Sequence, residues 1–564
     1  MAAQEPFSNV DPATAADMRR QGRDPHEPDR AMEQLLEQPP LPPGHHHRPP
    51  HRAPPGPSDG VDRISALPDA VLGEIVSRLP VKEAARTAAL ARRWRGVWRA
   101  APLVLVDAHL LPAGVAWPPT PAEAAASRVT DNVSRVLAAH PGPFRAVHLT
   151  SCYMGAHQAQ LEHWLRILAA KGVGELVLVN RPWPKDVPLH AKLFSIPNLT
   201  RLYIGFWKFP DSAALRGASF PHLRELGICY VETGNGDIDS IVARSPVLET
   251  LNIQGDAKGL RVHLVSQSLR CVQICISMVE IIAVVNTPNL ERLILFQSMK
   301  TASGLCSRVK IGNAPKLTMF GYLEPGNHVL EIHNTVIMAG IAASATTMLT
   351  SVKVLSLYLC FGVRNDSNMV PDFLRCFPNV ETLHILSGTR RDQPTGQLDL
   401  KFWEKFSPIV SVVFRIKTMT FREFHGQQSE LAFLQFFFQS AWALEHVVIV
   451  MANPRYNSLS VQQMSSSLRN LDSEKWARDF LMTMVGSNGP EGHLWTFQRG
   501  ADFSDDDPFA PAPLQHQDRT RLLEMGSQEL GRVVNVVAEI LNIRNRQVCK
   551  KNRSDDFSWF CSEF

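Results

Sequence analysis

Few side chains in this 564-residue chain are spaced to do chemistry, and those few lack partners. His45, His46 and His47 could ligate a transition metal. No carboxylate or thiol stands at ligand spacing, so the tract reads as solvated low complexity. Nine cysteines are scattered with no CxxC pair and no histidine at zinc-site spacing. Cys271 and Cys275 come nearest to a pair, but nothing basic is set to generate a thiolate, and they read as repeat-core residues. Glu445 beside His446 lacks a third, orienting group. No phosphate-cradling glycine loop, dinucleotide fingerprint, HExxH, GxSxG or calcium loop occurs. The expectation is a protein that binds rather than catalyses, with no catalytic, metal or cofactor-binding residues.

Net charge is +4 over this length, too small an imbalance to imply nucleic acid or an anionic membrane as partner. The 45% hydrophobic content supports a large core, and the longest apolar run, Cys271 to Val285, holds Gln273 and Glu280 and is too short to span a bilayer. Scattered thiols suit a reducing compartment, and the charged, proline-rich N-terminus has no secretory apolar core. The expected location is cytoplasm, nucleus or both.

One region concentrates charge. Between Val61 and Ala100 stand eight Lys/Arg and four Asp/Glu, on a segment with helical apolar spacing at Val71, Leu72, Ile75, Val76 and Leu79. Pro68 and Asp69 mark a helix start, and Pro80 ends that helix. A second helical stretch follows from Val81 to Leu90, and a third carries Trp94 and Trp98 one turn apart. About forty residues are near the lower limit for an independent core, so surplus apolar surface should meet another domain or protein. The tryptophans sit at packing positions, which argues against a nucleic-acid stacking platform.

The ordered set Leu67-Pro68, Ile75, Leu79-Pro80-Val81-Lys82, Arg86-Thr87, Leu90 and Arg92-Arg93-Trp94-Arg95-x-Val97-Trp98 resembles the F-box. One departure is Ala91, where many plant relatives carry Ser. The resemblance implies docking on a Skp-type adaptor and, through it, a cullin–RING complex, with Leu67, Pro68, Leu72, Ile75, Leu79, Pro80, Arg86, Leu90, Trp94 and Trp98 as adaptor-binding residues. Trp94 and Leu79 are the expected buried anchors of that interface.

From Phe144 a strand-like phrase recurs ten times, at Phe144, Val173, Leu199, Leu223, Leu248, Leu269, Leu290, Leu317, Val352 and Val380, mostly at leucine-rich-repeat spacing. IPNLTRLYI, FPHLRELGI, SPVLETLNI, TPNLERLIL, APKLTMFGY and FPNVETLHI share a proline before the strand, where a missing N–H is tolerated. The residues between the apolar positions should line the concave side. Arg201, Tyr203, Glu225, Thr250, Asn252, Arg292, Ile294, Thr382 and His384 are therefore the expected target-reading positions. The Asn/Cys ladder of regular repeats fails: Cys152 alone holds that place, with Arg181, Trp207, Val231 and Asp256 at the equivalents, so the solenoid should be irregular.

Residues 411–480 resemble the FBD domain that ends many plant F-box repeat proteins, Ala-Leu-Glu-His-Val-Val being the clearest mark. Val412 to Phe421 reads as a strand, Leu431 to Gln439 as a helix and Leu444 to Met451 as a strand; capping the array is the expected role and a partner site the alternative.

The expected fold is α/β: a disordered Pro/His-rich leader (1–60, holding thirteen of 41 prolines), a three-helix F-box (61–105), irregular leucine-rich repeats (140–400) and an α+β FBD-like cap (411–480). An acidic linker (500–518) and a tail with a helical pattern over Arg521 to Ile543 (519–564) follow. The family resemblance implies a non-catalytic substrate receptor of an SCF-type ubiquitin ligase, with an unknown target protein and neither nucleic acid nor membrane as partner. The alternative is a repeat scaffold that uses the helices only as an N-cap and acts outside ubiquitin ligases.

Overall fold

The computed structural model describes residues 64–510, apart from 65, 113, 116–118, 120, 181–186, 211–214, 216, 257, 297–305, 338–346, 389–397, 407, 453–458, 472–475 and 487–495. The leader and the tail helix lie outside the described residues. The described residues divide into two compact units, one on each side of the Glu232–Thr233 bond.

The first unit opens with α1 (Asp69–Ser77), α2 (Val81–Thr87) and α3 (Arg92–Ala100). Pro68 and Pro80 immediately precede the first two, preset in φ for helix entry. Ala91 caps α3 in extended conformation with no side-chain hydrogen bond. Leu72, Val76, Leu79, Trp94, Val97 and Trp98 fill the space between the helices. β1 (Leu103–Val106) follows, then α4 (Pro121–Ala126), α5 (Val129–Ala139), β2 (Phe144–Leu149), α6 (Gln158–Ala170), β3 (Glu175–Val179), β4 (Arg201–Gly205) and β5 (Glu225–Cys229). The five strands pair in chain order, all parallel.

The three N-terminal helices are fused to this sheet. β1 pairs with β2, Pro80 bridges to Val104, and the Trp98 indole meets His140 edge-on at 5.1 Å. His140 in turn meets Phe144 at 5.2 Å, while Lys171 donates to the Leu137 and His140 carbonyls. Burial, helped by Lys171, lowers the His140 pKa to about 4, so the imidazole is neutral at this joint.

The turns after the strands are held by buried polar groups. Asp107 accepts hydrogen bonds from the Thr150 and Ser151 amides at 2.9 and 2.7 Å, and burial pushes its carboxyl upward. Asn180 Oδ1 accepts from the Met154 amide at 3.2 Å, and the Trp207 indole donates to the Leu178 carbonyl at 3.0 Å. The ladder position after β3 is therefore Asn180, one residue before Arg181, and Cys152 donates its thiol to Asp107 at 3.3 Å.

The second unit begins with α7 (Asp237–Ala243) and β6 (Thr250–Gln254). Two strands per repeat then alternate: β7 (Leu260–Val265), β8 (Cys271–Cys275), β9 (Val279–Asn286), β10 (Arg292–Phe296), β11 (Ser307–Asn313), β12 (Met319–Leu323), β13 (His328–Ile332) and the short β14 (Thr335–Val336). β15 (Val354–Leu359), α8 (Arg364–Cys376), β16 (Thr382–Ser387), α9 (Leu400–Glu404), α10 (Val410–Phe414), β17 (Thr418–Phe424), α11 (Gln428–Ser440), β18 (His446–Met451), α12 (Val461–Arg469), β19 (Leu481–Val485) and α13 (Phe497–Ala501) complete it. In this unit one sheet runs β6-β8-β10-β12-β15-β16-β17-β18-β19, and a second runs β14-β13-β11-β9-β7. The second sheet stands where helices back other repeats. Buried and exposed residues alternate along β7, one face inward and one outward.

The FBD-like region continues the first sheet: β17 pairs parallel to β16, and β18 to β17. Residues 410–414, overlapping the start of the expected strand from Val412, form α10; the strand itself starts at Thr418. An aromatic cluster of Phe361, Trp403, Phe421 and Phe433 secures α11 against it.

Candidate functional site

Two surfaces carry the residues singled out above. On the N-terminal helices, the expected adaptor-binding set separates into inward and outward groups. Leu72, Leu79, Trp94 and Trp98 are core; the two tryptophans are 4% and 3% exposed. In the free chain these side chains are packed among their own helices, so the anchor role expected for Trp94 and Leu79 would require docking to uncover them. Pro68 is exposed, and Leu67, Ile75, Pro80, Arg86 and Leu90 are partly so. Val71, absent from the expected set, is 44% exposed. Pro68, Val71 and Ile75 follow helical i, i+3, i+7 spacing and make one apolar row along α1.

The arginines of this segment are partly spoken for. Arg93 Nε lies 2.6 Å from Asp69 Oδ1 and its other nitrogen donates to the Leu67 carbonyl, pinning the start of α1 to α3. Arg78 pairs with Glu74 and Arg86 with Glu83. Such exposed pairs add little stability but fix orientation.

The second surface is the strand face where target-reading residues were expected. In the first unit those residues bond to one another. Arg201 bridges Glu225 at 2.7 Å and Glu175 at 3.5 Å, and Tyr203 donates its hydroxyl to Glu225. His148 lies 2.7 Å from Glu175. Burial alone would raise the Glu175 carboxyl, yet His148 and Arg201 hold it below the ordinary carboxylate range. Tyr203 is buried; a Cβ on Gly227 would stand 2.2 Å from its ring, so only glycine admits it there.

In the second unit Thr250, Asn252, Arg292, Ile294 and His384 are buried, and Thr382 is half-buried. Arg292 and His384 are covered by residues 496–510 of the same chain. The Arg292 guanidinium donates to the carbonyls of Gly500 at 2.8 Å, Asp502 at 3.1 Å and Asp505 at 2.5 Å. His384 Nε2 lies 2.9 Å from Asp507 Oδ2, and Arg422 donates to the Phe509 carbonyl at 3.1 Å. Burial alone would raise the Asp507 carboxyl, but His384 and Arg499 hold it low. Phe497 and Phe509 are buried among Cys275, Ile294, Met319 and Tyr322. The stretch expected as an acidic linker is thus, over Asp502–Ala510, packed against the sheet.

Cys271, Gln273 and Cys275 alternate along β8 and also meet this segment. Cys271 Sγ donates to the Gly500 carbonyl at 3.4 Å and Gln273 Nε2 to the Phe497 carbonyl at 3.0 Å. The two cysteines therefore face residues 496–510, where the sequence reading put them inside the repeat core. Their register was available: after Leu269, Cys271 and Gln273 hold the places that Arg292 and Ile294 hold after Leu290, and Cys275 pairs with Phe296. Arg270 and Arg422 were missed as well. Among the described residues no His, Cys, Asp and Glu group is placed to hold a metal, and no helix is long and apolar enough to cross a membrane.

Three family profiles match the chain: "F-box domain" over 64–104, "FBD-associated F-box protein At5g56370, LRR repeats" over 161–385, and "FBD" over 406–449. Among similar proteins of Arabidopsis thaliana, F-box/FBD/LRR-repeat protein At1g13570 is 26% identical over 34% of this chain and 44% of its own length. F-box protein At3g60790, also of Arabidopsis thaliana, is 24% identical over 66% and 79%. MEIOTIC F-BOX protein MOF of Oryza sativa subsp. japonica is 27% identical over 35% and 42%. The chain thus spans under half the length of the first and third of these relatives. An internalin from Listeria monocytogenes covers 54% of this chain and 80% of its own at 15% identity, with a TM-score of 0.25, too loose a likeness to add to the fold described above. With F-box, repeat and FBD segments matched in that order along it, the chain is similar to plant F-box/FBD/LRR-repeat proteins.

Proposed function

We propose that this chain is the non-catalytic substrate-recognition subunit of an SCF-type ubiquitin ligase, acting in the cytoplasm or nucleus. Its F-box face binds a Skp-type adaptor and its repeats bind a target protein. The observation that carries this reading is the apolar row Pro68, Val71 and Ile75, flanked by Leu67, left facing water by helices whose core is already filled. Holding a target near the ligase raises the local concentration for ubiquitin transfer, and the chemistry belongs to other subunits.

The test is capture of a purified Skp-type adaptor by the full-length chain. Stoichiometric capture that is lost on Val71→Asp/Ile75→Asp supports the proposal; no capture by the folded wild-type chain overturns it. A second reading, a repeat scaffold outside ubiquitin ligases, draws on the Trp98–His140–Phe144 stack, through which the helices close the first repeat. The same experiment separates the two, because capping alone requires no adaptor.

A further inference from the structure

Residues 496–510, TFQRGADFSDDDPFA, carry four aspartates against one arginine. The face beneath them is basic and aromatic. Phe503 lies over the Arg270 guanidinium at 3.6 Å and near Arg292 at 5.2 Å. Phe509 meets Tyr322 at 5.2 Å and His384 at 5.6 Å. The backbone comes down closely between them: a Cβ on Gly500 would stand 2.0 Å from Gln273 Oε1. Charge, ring placement and close approach together are those of a peptide bound in a groove.

The fit is incomplete in a telling way. Gln273 Oε1 and His384 Nδ1 are buried beneath the segment with no hydrogen-bond partner in the structure. A covered surface that keeps unmet polar groups would gain from an occupant that satisfies them. Of the strands below, β8, β10, β16 and β17, two carry expected target-reading residues: Arg292 and Ile294 on β10 and Thr382 and His384 on β16.

We infer that this face is a receptor for an acidic, phenylalanine-bearing peptide segment, and that residues 496–510 occupy it in cis as a displaceable stand-in for such a partner. The inference deepens the proposed function, and rests on that reading for its consequence that a target must first evict the segment. Binding in trans needs a chain whose own segment has been released.

The buried thiols supply the readout. Cys271 and Cys275 face the segment, whereas Cys306 is exposed and serves as an internal reference. Full-length wild type and the variant Phe503→Ala/Asp507→Asn/Phe509→Ala are alkylated with iodoacetamide under native conditions, and each cysteine is followed by mass spectrometry. The expected result is alkylation of Cys271 and Cys275 about tenfold or more faster in the variant, relative to Cys306. A synthetic peptide of residues 496–510 should restore protection, and a peptide with Phe503, Asp507 and Phe509 replaced by Ala should not.

Equal alkylation in both chains, or failure of the wild-type peptide to protect the variant, overturns the inference. Reaction of buried Cys152 or Cys229 would report unfolding; Gly500→Val, which wedges the segment off at one point, then repeats the experiment under the same criteria. No adaptor is present in the assay, so its outcome is independent of adaptor capture.

Discussion

Replacing Val71 and Ile75 together by Asp should abolish adaptor binding and leave the fold intact, whereas Trp94→Ala should do the reverse. Val71 is 44% exposed, so roughly half of the about 1.5–3 kcal/mol gained on fully burying a valine is still to be realised on docking. Ile75, half-buried, leaves a similar amount, giving about 2 kcal/mol for the pair. Drying two carboxylates against an apolar partner adds about 2 kcal/mol or more. The sum, about 4 kcal/mol, is roughly a thousandfold in affinity. The cost to folding should stay within about 2 kcal/mol: Val71 is exposed and an Asp there, in the first turn of α1, complements the helix dipole, while Ile75 is partly exposed in the last turn. Trp94, at 4% exposure, should instead cost about 3–5 kcal/mol of folding when cut to Ala. Titration calorimetry with a Skp-type adaptor, paired with urea unfolding of each variant, reads both quantities. An Asp double variant that binds within about threefold of wild type would refute the interface; a Trp94→Ala chain of wild-type stability that no longer binds would show the indole reaching the partner after all.

Ala91→Ser should stabilise the first unit by about 1 kcal/mol, because Ala91 sits extended at the α3 N-cap with no side-chain acceptor; an unchanged urea midpoint would reject it. Gly227→Ala should destabilise by about 1–3 kcal/mol as its Cβ meets the Tyr203 ring at 2.2 Å, read as a fall in melting temperature, and Tyr203→Phe should not relieve the clash. Stability should decline as pH falls from 6.5 towards 4, because unfolded histidines protonate near 6.5 while His140 and His328 stay neutral down to about 4. Each contributes at most about 3 kcal/mol to that loss, nothing is lost above the unfolded value, and His140→Gln/His328→Gln should flatten the profile; identical profiles would reject burial as the cause.

Local pattern made the proline-led strands legible. Leu202 and Ile204, or Leu383 and Ile385, point one way because strand side chains alternate, and the structure pairs these strands in the expected order. The F-box helices were legible for the same reason, but which apolar residues face inward was not: Trp94 and Val71 differ only in what α1, α3 and β1 place over them. Asn180 was missed by one residue, since the ladder position depends on where Met154 arrives in a neighbouring turn. The docking of residues 496–510 left no local sign. Its partners Arg292, His384 and Arg422 are about a hundred or more residues away in sequence, and a short acidic stretch with one proline looks like a linker until its binding surface is built.

The outer strands β7, β9, β11 and β13 have a mechanical consequence. A stack of repeats bends when its outer elements need more room than its inner ones: strands repeat about every 4.8 Å, while packed helices need about 8–10 Å. Where strands form both walls, between β6 and β13, the two pitches agree and that source of bending is removed; α8 and α11 bring the mismatch back further along. A peptide laid across β8 and β10 therefore meets strands ruled at an even pitch of about 4.8 Å, and side-chain spacing selects what fits.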